Sequence, residues 1–319
     1  IPAYPTQIGR GAVNLVIKPP TPVDTVIPLA DNLRALVVDQ SGVVTLWNLR
    51  TGQREKAFNS GSRLRDVAVG ARGRYLYANG SRGRGIYRWS LSATPKRSSF
   101  LRDLKSGRNL ILPSPDRLHL LVEADPIRNM SLLEVRTTSG FSRKVLMGHR
   151  GSILGGAFDS SGKRAVTWGT DAVRVWNLVT GRQVCETKIE KQCRQACLAP
   201  DGRKMLVLDG DSVVHLYDAE LGQKLKQYQI GTGIQRIRWL SKGNRFISAR
   251  FEEVPGAIGR TLTERSVSRF QLWDVDTGKA LNNWQSKGCL VTKVAITPDG
   301  RYALTANDDR SLSMWNLSP

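Results

Sequence analysis

VLMGHRGSILGGAFDSSGKRAVTWGTDAVRVWNLVTGR, residues 145–182, decides the fold. Gly148-His149 precedes the run ILGGAF, and DSSG at 159–162 separates that run from RAVTW. Asp171 stands in the next turn, and VRVW then closes at Trp176-Asn177 before VTG at 179–181. Short runs rich in β-branched and aromatic residues, bounded by Gly, Ser and Asp, read as strands joined by tight turns.

The same unit recurs on both sides. A strand ending in an aromatic or large apolar residue closes at Trp47, Trp89, Leu133, Trp176, Tyr217, Trp273 and Trp315, at spacings of 42, 44, 43, 41, 56 and 42 residues. GARG at 70–73, SPDR at 114–117, APDG at 199–202, LSKG at 240–243 and TPDG at 297–300 fall where DSSG falls. A second turn class, RTG at 50–52 and DTG at 276–278, matches VTG. Two turn families in phase with one strand pattern, at a period of about 40–45 residues, define a repeat protein with four short strands per unit.

This order resembles the WD-repeat β-propeller family, with Gly148, His149, Asp171, Trp176 and Asn177 carrying the match. The resemblance covers nearly all of the chain beyond residue 11. It implies an all-β fold, a seven-bladed propeller of four-stranded antiparallel blades over residues 12–319. It also implies a hydrogen-bonded structural tetrad of His149, Thr167, Asp171 and Trp176. Thr305, Asp309 and Trp315 repeat that set without a histidine.

Closure assigns the N-terminal segment. The last unit stops after its third strand, LSMWNL, and AVNLVIK at 12–18 is a β-prone run with no repeat of its own. Adding it to the last blade covers an otherwise bare edge. Residues 1–11 are expected to be a linker from a preceding domain. Five of the 14 prolines, Pro2, Pro5, Pro19, Pro20 and Pro22, stiffen the region.

Composition narrows the function. No apolar run approaches the roughly 18 residues that span a bilayer, so no membrane partner is expected. The four cysteines, Cys185, Cys193, Cys197 and Cys289, show no metal-type CxxC spacing. Cys193 and Cys197 read as residues of one strand, and buried reduced thiols in a cytoplasmic setting are expected. None of the usual hydrolase, metalloprotease, P-loop or dinucleotide motifs is present, and His119 and His215 fall within predicted strands. The reading is therefore a non-enzyme without cofactor or metal, a monomeric propeller that binds a protein or peptide, an acidic one included. A propeller enzyme is the least favoured alternative.

The formal charge of +21, from 48 Lys and Arg against 27 Asp and Glu, favours anionic partners. Between residues 61 and 108 stand twelve Lys or Arg against Asp66 and Asp103. Of these, Arg63, Arg82, Arg84, Lys105 and Arg108 are expected near connections on one face of units two and three. They make a nucleic-acid or phosphate-binding module the main alternative. Trp168 is expected at the start of a turn on that face, partly exposed, as a partner anchor alongside Arg150 and Arg310. The long spacing in unit six places extra sequence at 251–269, where a functional loop is expected.

Overall fold

The protein is described by a computed structural model over residues 13–70, 73–80, 85–91, 97–101, 110–127, 130–139, 141–240, 244–253, 266–287, 291–297, 299–307 and 309–317. Its strands form seven four-stranded antiparallel sheets, the blades of a seven-bladed β-propeller. Blades 1–6 occupy residues 23–59, 64–101, 111–149, 153–187, 195–228 and 234–287, each with its strands adjacent in sequence order. Blade 7 takes three strands from residues 291–316 and its fourth from Val13–Ile17.

That fourth strand runs antiparallel to Leu312–Asn316, pairing Val16 with Ser313 and Ile17 with Leu312. Without it, Leu312–Asn316 would present unpaired N–H and C=O groups at the sheet edge. The added strand also carries apolar surface. Ile17 is buried in a cluster with Val23, Val26, Val37, Trp47, Leu304 and Leu312, which joins blade 7 to blade 1.

Two compact units divide the blades. One contains residues 1–64 and 233–319, hence blades 1, 6 and 7; the other spans Arg65–Thr232 and contains blades 2 to 5. Within the first, Ile247, Phe270, Leu272 and Trp284 of blade 6 pack with Val291, Ala303 and Trp315 of blade 7. Within the second, Tyr77 and Ile86 pack on Leu120 and Val122 between blades 2 and 3. Leu121, Leu133 and Leu146 meet Ala165 and Trp176 between blades 3 and 4. Val166, Trp168 and Val175 meet Ala196, Met205 and Val207 between blades 4 and 5. Both faces of a strand are buried at such junctions, so the middle strands read as continuous apolar runs rather than alternating ones. Each large side chain buried this way contributes about 1.5–3 kcal/mol.

Two expectations change here. The surplus in blade 6 does not begin as a loop at residue 251, because Arg245–Glu253 and Ser266–Asp274 remain paired out to Glu253 and Ser266. A ladder satisfies the backbone groups that a loop would have left to water. The remainder of that connection, 254–265, lies outside the described residues, as does the linker at 1–11. Cys193 and Cys197 do not share a strand either. Cys193 precedes Gln195–Leu198, which holds only Cys197, and both thiols are buried and free of disulfides.

Deleting residues 13–17 is expected to lower the melting temperature and promote aggregation through the exposed edge of Leu312–Asn316. Differential scanning calorimetry with light scattering checks this. An unchanged melt in a monomeric truncated chain would contradict a stabilising role for the strand.

Candidate functional site

Blade 4 gathers the polar residues singled out in the sequence. His149 ends Ser142–His149, the fourth strand of blade 3, and its buried ring enters the junction with blade 4. Trp176 Nε1 donates to Thr167 Oγ1 at 2.8 Å, and Thr167 Oγ1 lies 2.7 Å from His149 Nε2. His149 Nδ1 lies 2.8 Å from Asp171 Oδ1, while the Arg150 N–H donates to Asp171 Oδ2 at 2.8 Å. Arg174 Nη1 also lies 2.9 Å from His149 Nδ1, so Asp171 and the guanidinium share that side of the ring. The Thr167 hydroxyl already accepts from Trp176 and faces Nε2 on the other side.

Arg174 is the member that sequence reading missed. Its guanidinium is almost wholly buried, and its Nη1 donates to Asp171 Oδ2 at 2.7 Å. Its Nη2 donates to Glu186 at 3.0 Å and its Nε to Gln183 at 3.1 Å. Burying a guanidinium is costly unless its donors are matched, and here two carboxylates and an amide oxygen accept from it. Strand register explains the match, since Arg174 lies opposite both Thr167 and Glu186. The available signal was an arginine between valines in VRVW with Glu186 on the next strand.

The charges set the titration behaviour. Burial pushes the His149 pKa down and outweighs the pull of Asp171, with Arg174 lowering it further. Burial alone would raise the Asp171 carboxyl. The hydrogen bonds from His149, the Arg150 backbone and Arg174 instead hold it far below the usual carboxylate range. Gly169 makes the arrangement sterically possible. A Cβ there would sit 2.8 Å from Asp171 Oδ1 and 2.9 Å from His149 Nδ1.

The same position is filled differently elsewhere. In blade 5, Asp209 follows the second strand and lies 2.8 Å from His215 Nε2. In blade 7, the amide of Asn307 donates to Ser311 and Ser313. The indoles of Trp47, Trp273 and Trp315 donate to the hydroxyls of Thr45, Ser248 and Thr305. Asp309 of blade 7 accepts from the backbone and hydroxyl of Ser311, within its own turn. The Trp273 and Trp315 bonds hold strand to strand, whereas the Trp47 bond stays within Val43–Asn48.

Trp168 is a correction. The expected partly exposed anchor is 8% exposed, lies in Arg164–Gly169, and belongs to the core between blades 4 and 5. Its ring occupies the space over Gly155, where any Cβ would overlap it. A glycine on the neighbouring strand thus admits a tryptophan where sequence reading places a turn.

Three of the seven proposed cations fall among the described residues. Arg150 and Arg310 are exposed, Arg150 beside the blade 4 turn and Arg310 in the turn before Leu312–Asn316 with φ of 67°. Arg63 is ion-paired to Asp24 at 2.9 Å, so it is partly neutralised. Arg82, Arg84, Lys105 and Arg108 lie outside the described residues. Among the described residues, no group of three or more His, Cys, Asp or Glu is placed to hold a metal ion.

The geometry defines a class, a propeller of repeated blades latched by internal hydrogen bonds. Comparison with known proteins names it. Residues 278–316 match the family description WD domain, G-beta repeat. The chain is similar to the anaphase-promoting complex subunit cdh1 of Dictyostelium discoideum, 21% identical across 98% of this chain and 45% of that protein. It is also similar to protein tipD of the same organism, 23% identical across 98% of this chain and 48% of that protein. A p21-activated protein kinase-interacting protein 1-like of Danio rerio is 34% identical across 55% of this chain and 44% of its own length. The chain spans a little under half the length of these relatives. With its seven blades and this match in residues 278–316, the chain is similar to the WD-repeat family.

Two outcomes follow. Trp168→Ala removes a buried aromatic and is expected to cost about 3–5 kcal/mol in denaturant unfolding. A loss below 1 kcal/mol, about what an exposed site gives, would contradict the packing. The second outcome concerns pH. The folded His149 binds its proton less readily than the unfolded one, whose usual value is 6.5. Its contribution is therefore full above that pH and lost as pH falls from there toward the lowered folded value. The depressed Asp171 adds to acid loss only below about pH 4. Thermal melts between about pH 7.5 and 5.5 should show stability falling with acid, with a shallower slope in His149→Asn.

Proposed function

We propose that this chain is a non-enzymatic protein-binding module, its blades a rigid frame for partner-contacting turns. Propellers of the WD-repeat family act in general as interaction scaffolds, and the name of one relative describes it as interacting with a protein kinase. One observation carries the reading to this chain: among the described residues, the histidines and cysteines are held in blade junctions, strands and turns. His149 and His215 are bonded within blade junctions and turns, and His119 lies 3.8 Å from Asp116 in its own turn. Burial raises the Cys185 thiol and pushes Cys193 up to about 12, so neither is poised as a nucleophile. These unpaired buried thiols also support a reducing, cytoplasmic setting.

A second reading, a polyanion-binding module, is favoured by charge. Arg236 and Arg238 are exposed on the first strand of blade 6, and Lys293 on the first strand of blade 7. Arg236 and Lys293 each follow a bulge at the same point of their strands.

Affinity capture on the purified chain, with and without nuclease, separates the two. Proteins retained after nuclease treatment support the scaffold reading, whereas capture of nucleic acid alone overturns it. For duplex DNA engaging two or three phosphates, log affinity against log salt should slope by about −2 to −3. Arg236→Glu with Lys293→Glu should flatten that slope. Salt-independent or absent DNA binding excludes the second reading.

A further inference from the structure

The three most exposed large hydrophobic residues of the described chain occupy one kind of connection. Phe141 is 75% exposed, Leu221 69% and Val179 60%. They stand in the connections between third and fourth strands of blades 3, 5 and 4, three successive blades of one compact unit. Leu118 adds to them, since its carbonyl accepts from the Thr138 N–H and so brings the two turns of blade 3 together.

The turn does not need apolar residues. Asn177 Oδ1 accepts from the Val179 and Thr180 N–H groups, as Asp218 Oδ1 does from Glu220 and Leu221. Gly181 and Gly222 follow with φ of 76° and 69°. In blade 1, Asn48 and Gly52 build an equivalent turn around Arg50 and Thr51. In blade 6, Asp274 and Gly278 do so around Asp276 and Thr277. An Asx cap and a glycine at positive φ therefore suffice, and polar residues fit between them. Exposed Val179 and Leu221 there are unexplained by folding, and in blade 3 it is the Phe141 backbone, not its ring, that bonds to Thr137.

These turns form one continuous end of the unit. Gly181 lies against the stem of Lys144 from blade 3, and Thr187 of blade 4 donates to the Gly222 carbonyl. Arg164 of blade 4 reaches Gly202 and Glu220 of blade 5. Both signs of charge stand at this end, and the carboxylates are the more engaged. Asp159, Asp201, Asp218 and Glu220 are engaged by turn N–H groups or by Arg164. Lys163, Arg182 and Arg203 are exposed without an ion pair among the described residues.

Resting on the protein-binding reading above, we propose that this turn end of blades 3 to 5 is a docking surface for an acidic protein segment bearing large apolar side chains. Phe141, Val179, Leu221 and Leu118 take the apolar anchors, and Lys163, Arg182 and Arg203 take the carboxylates. A second copy of this basic chain would bring like charges together, and a nucleic acid would leave the apolar anchors unburied.

The test selects phage-displayed random linear peptides on the purified chain and measures the enriched peptides by fluorescence anisotropy. Selected peptides should combine Phe, Leu, Ile or Trp with Asp or Glu. The triple variant Phe141→Ser, Val179→Ser, Leu221→Ser should weaken them at least about tenfold. Lys163→Glu, Arg182→Glu, Arg203→Glu should weaken them comparably, and all melting curves should stay unchanged because the sites are exposed. Peptides that bind both variants as tightly as wild type refute this surface while leaving the chain a protein-binding module. Failure to retain any peptide or protein refutes both readings. Sedimentation showing a dimer that the serine variant dissolves makes a second copy the occupant and overturns the proposal.

Discussion

A four-stranded blade has two apolar faces and no layer of its own to cover them, so it persists only against other blades. That constraint shapes the rest of the molecule. It explains why the middle strands are apolar on both sides, and why Val13–Ile17 is recruited to blade 7. It also explains why polar groups inside the junctions must find partners there. An indole N–H or an imidazole between two blades is out of reach of bulk water, and leaving it unpaired costs about 1–3 kcal/mol.

Blade 4 meets that demand most fully. Trp176, Thr167, His149 and Asp171 form a chain of bonds from the middle of one sheet to the end of the preceding blade's fourth strand. Arg174 then balances Asp171 with a buried positive charge. Directional bonds of this sort fix one relative position for two blades, which apolar contact alone does less exactingly. The neutral, desolvated His149 ties the junction to pH: acid penalises the folded form because the unfolded chain takes up that proton more readily.

Function is left to the ends of the strands. The blades use His149, His215, the described cysteines and most tryptophans as structure, whereas the Asx-capped turns are constrained only at their capping residue and their glycine. Residues between those two points are free to vary without disturbing a blade. Arg50 and Thr51 in blade 1 against Val179 in blade 4 and Leu221 in blade 5 show that freedom in one turn class. A rigid frame with variable turns suits a module that recognises other macromolecules.

Much of this was legible in the chain alone. A period of about 40–45 residues, the turn residues and the strand left over at the N-terminus determine the number of blades and the closure, because each follows from local backbone preference and from the need to cover an edge. The candidate residues His149, Thr167, Asp171 and Trp176 were likewise visible, at fixed places in one repeat. What only tertiary structure decided depends on atoms distant in sequence. Trp168 is buried because Gly155 on the neighbouring strand leaves room for its ring. Arg174 is tolerated because strand pairing sets Glu186 beside it and a turn brings Asp171 to its other side. Phe141, Val179 and Leu221 share one end of a unit because successive blades stack, a relation that a linear pattern of isolated exposed residues does not contain.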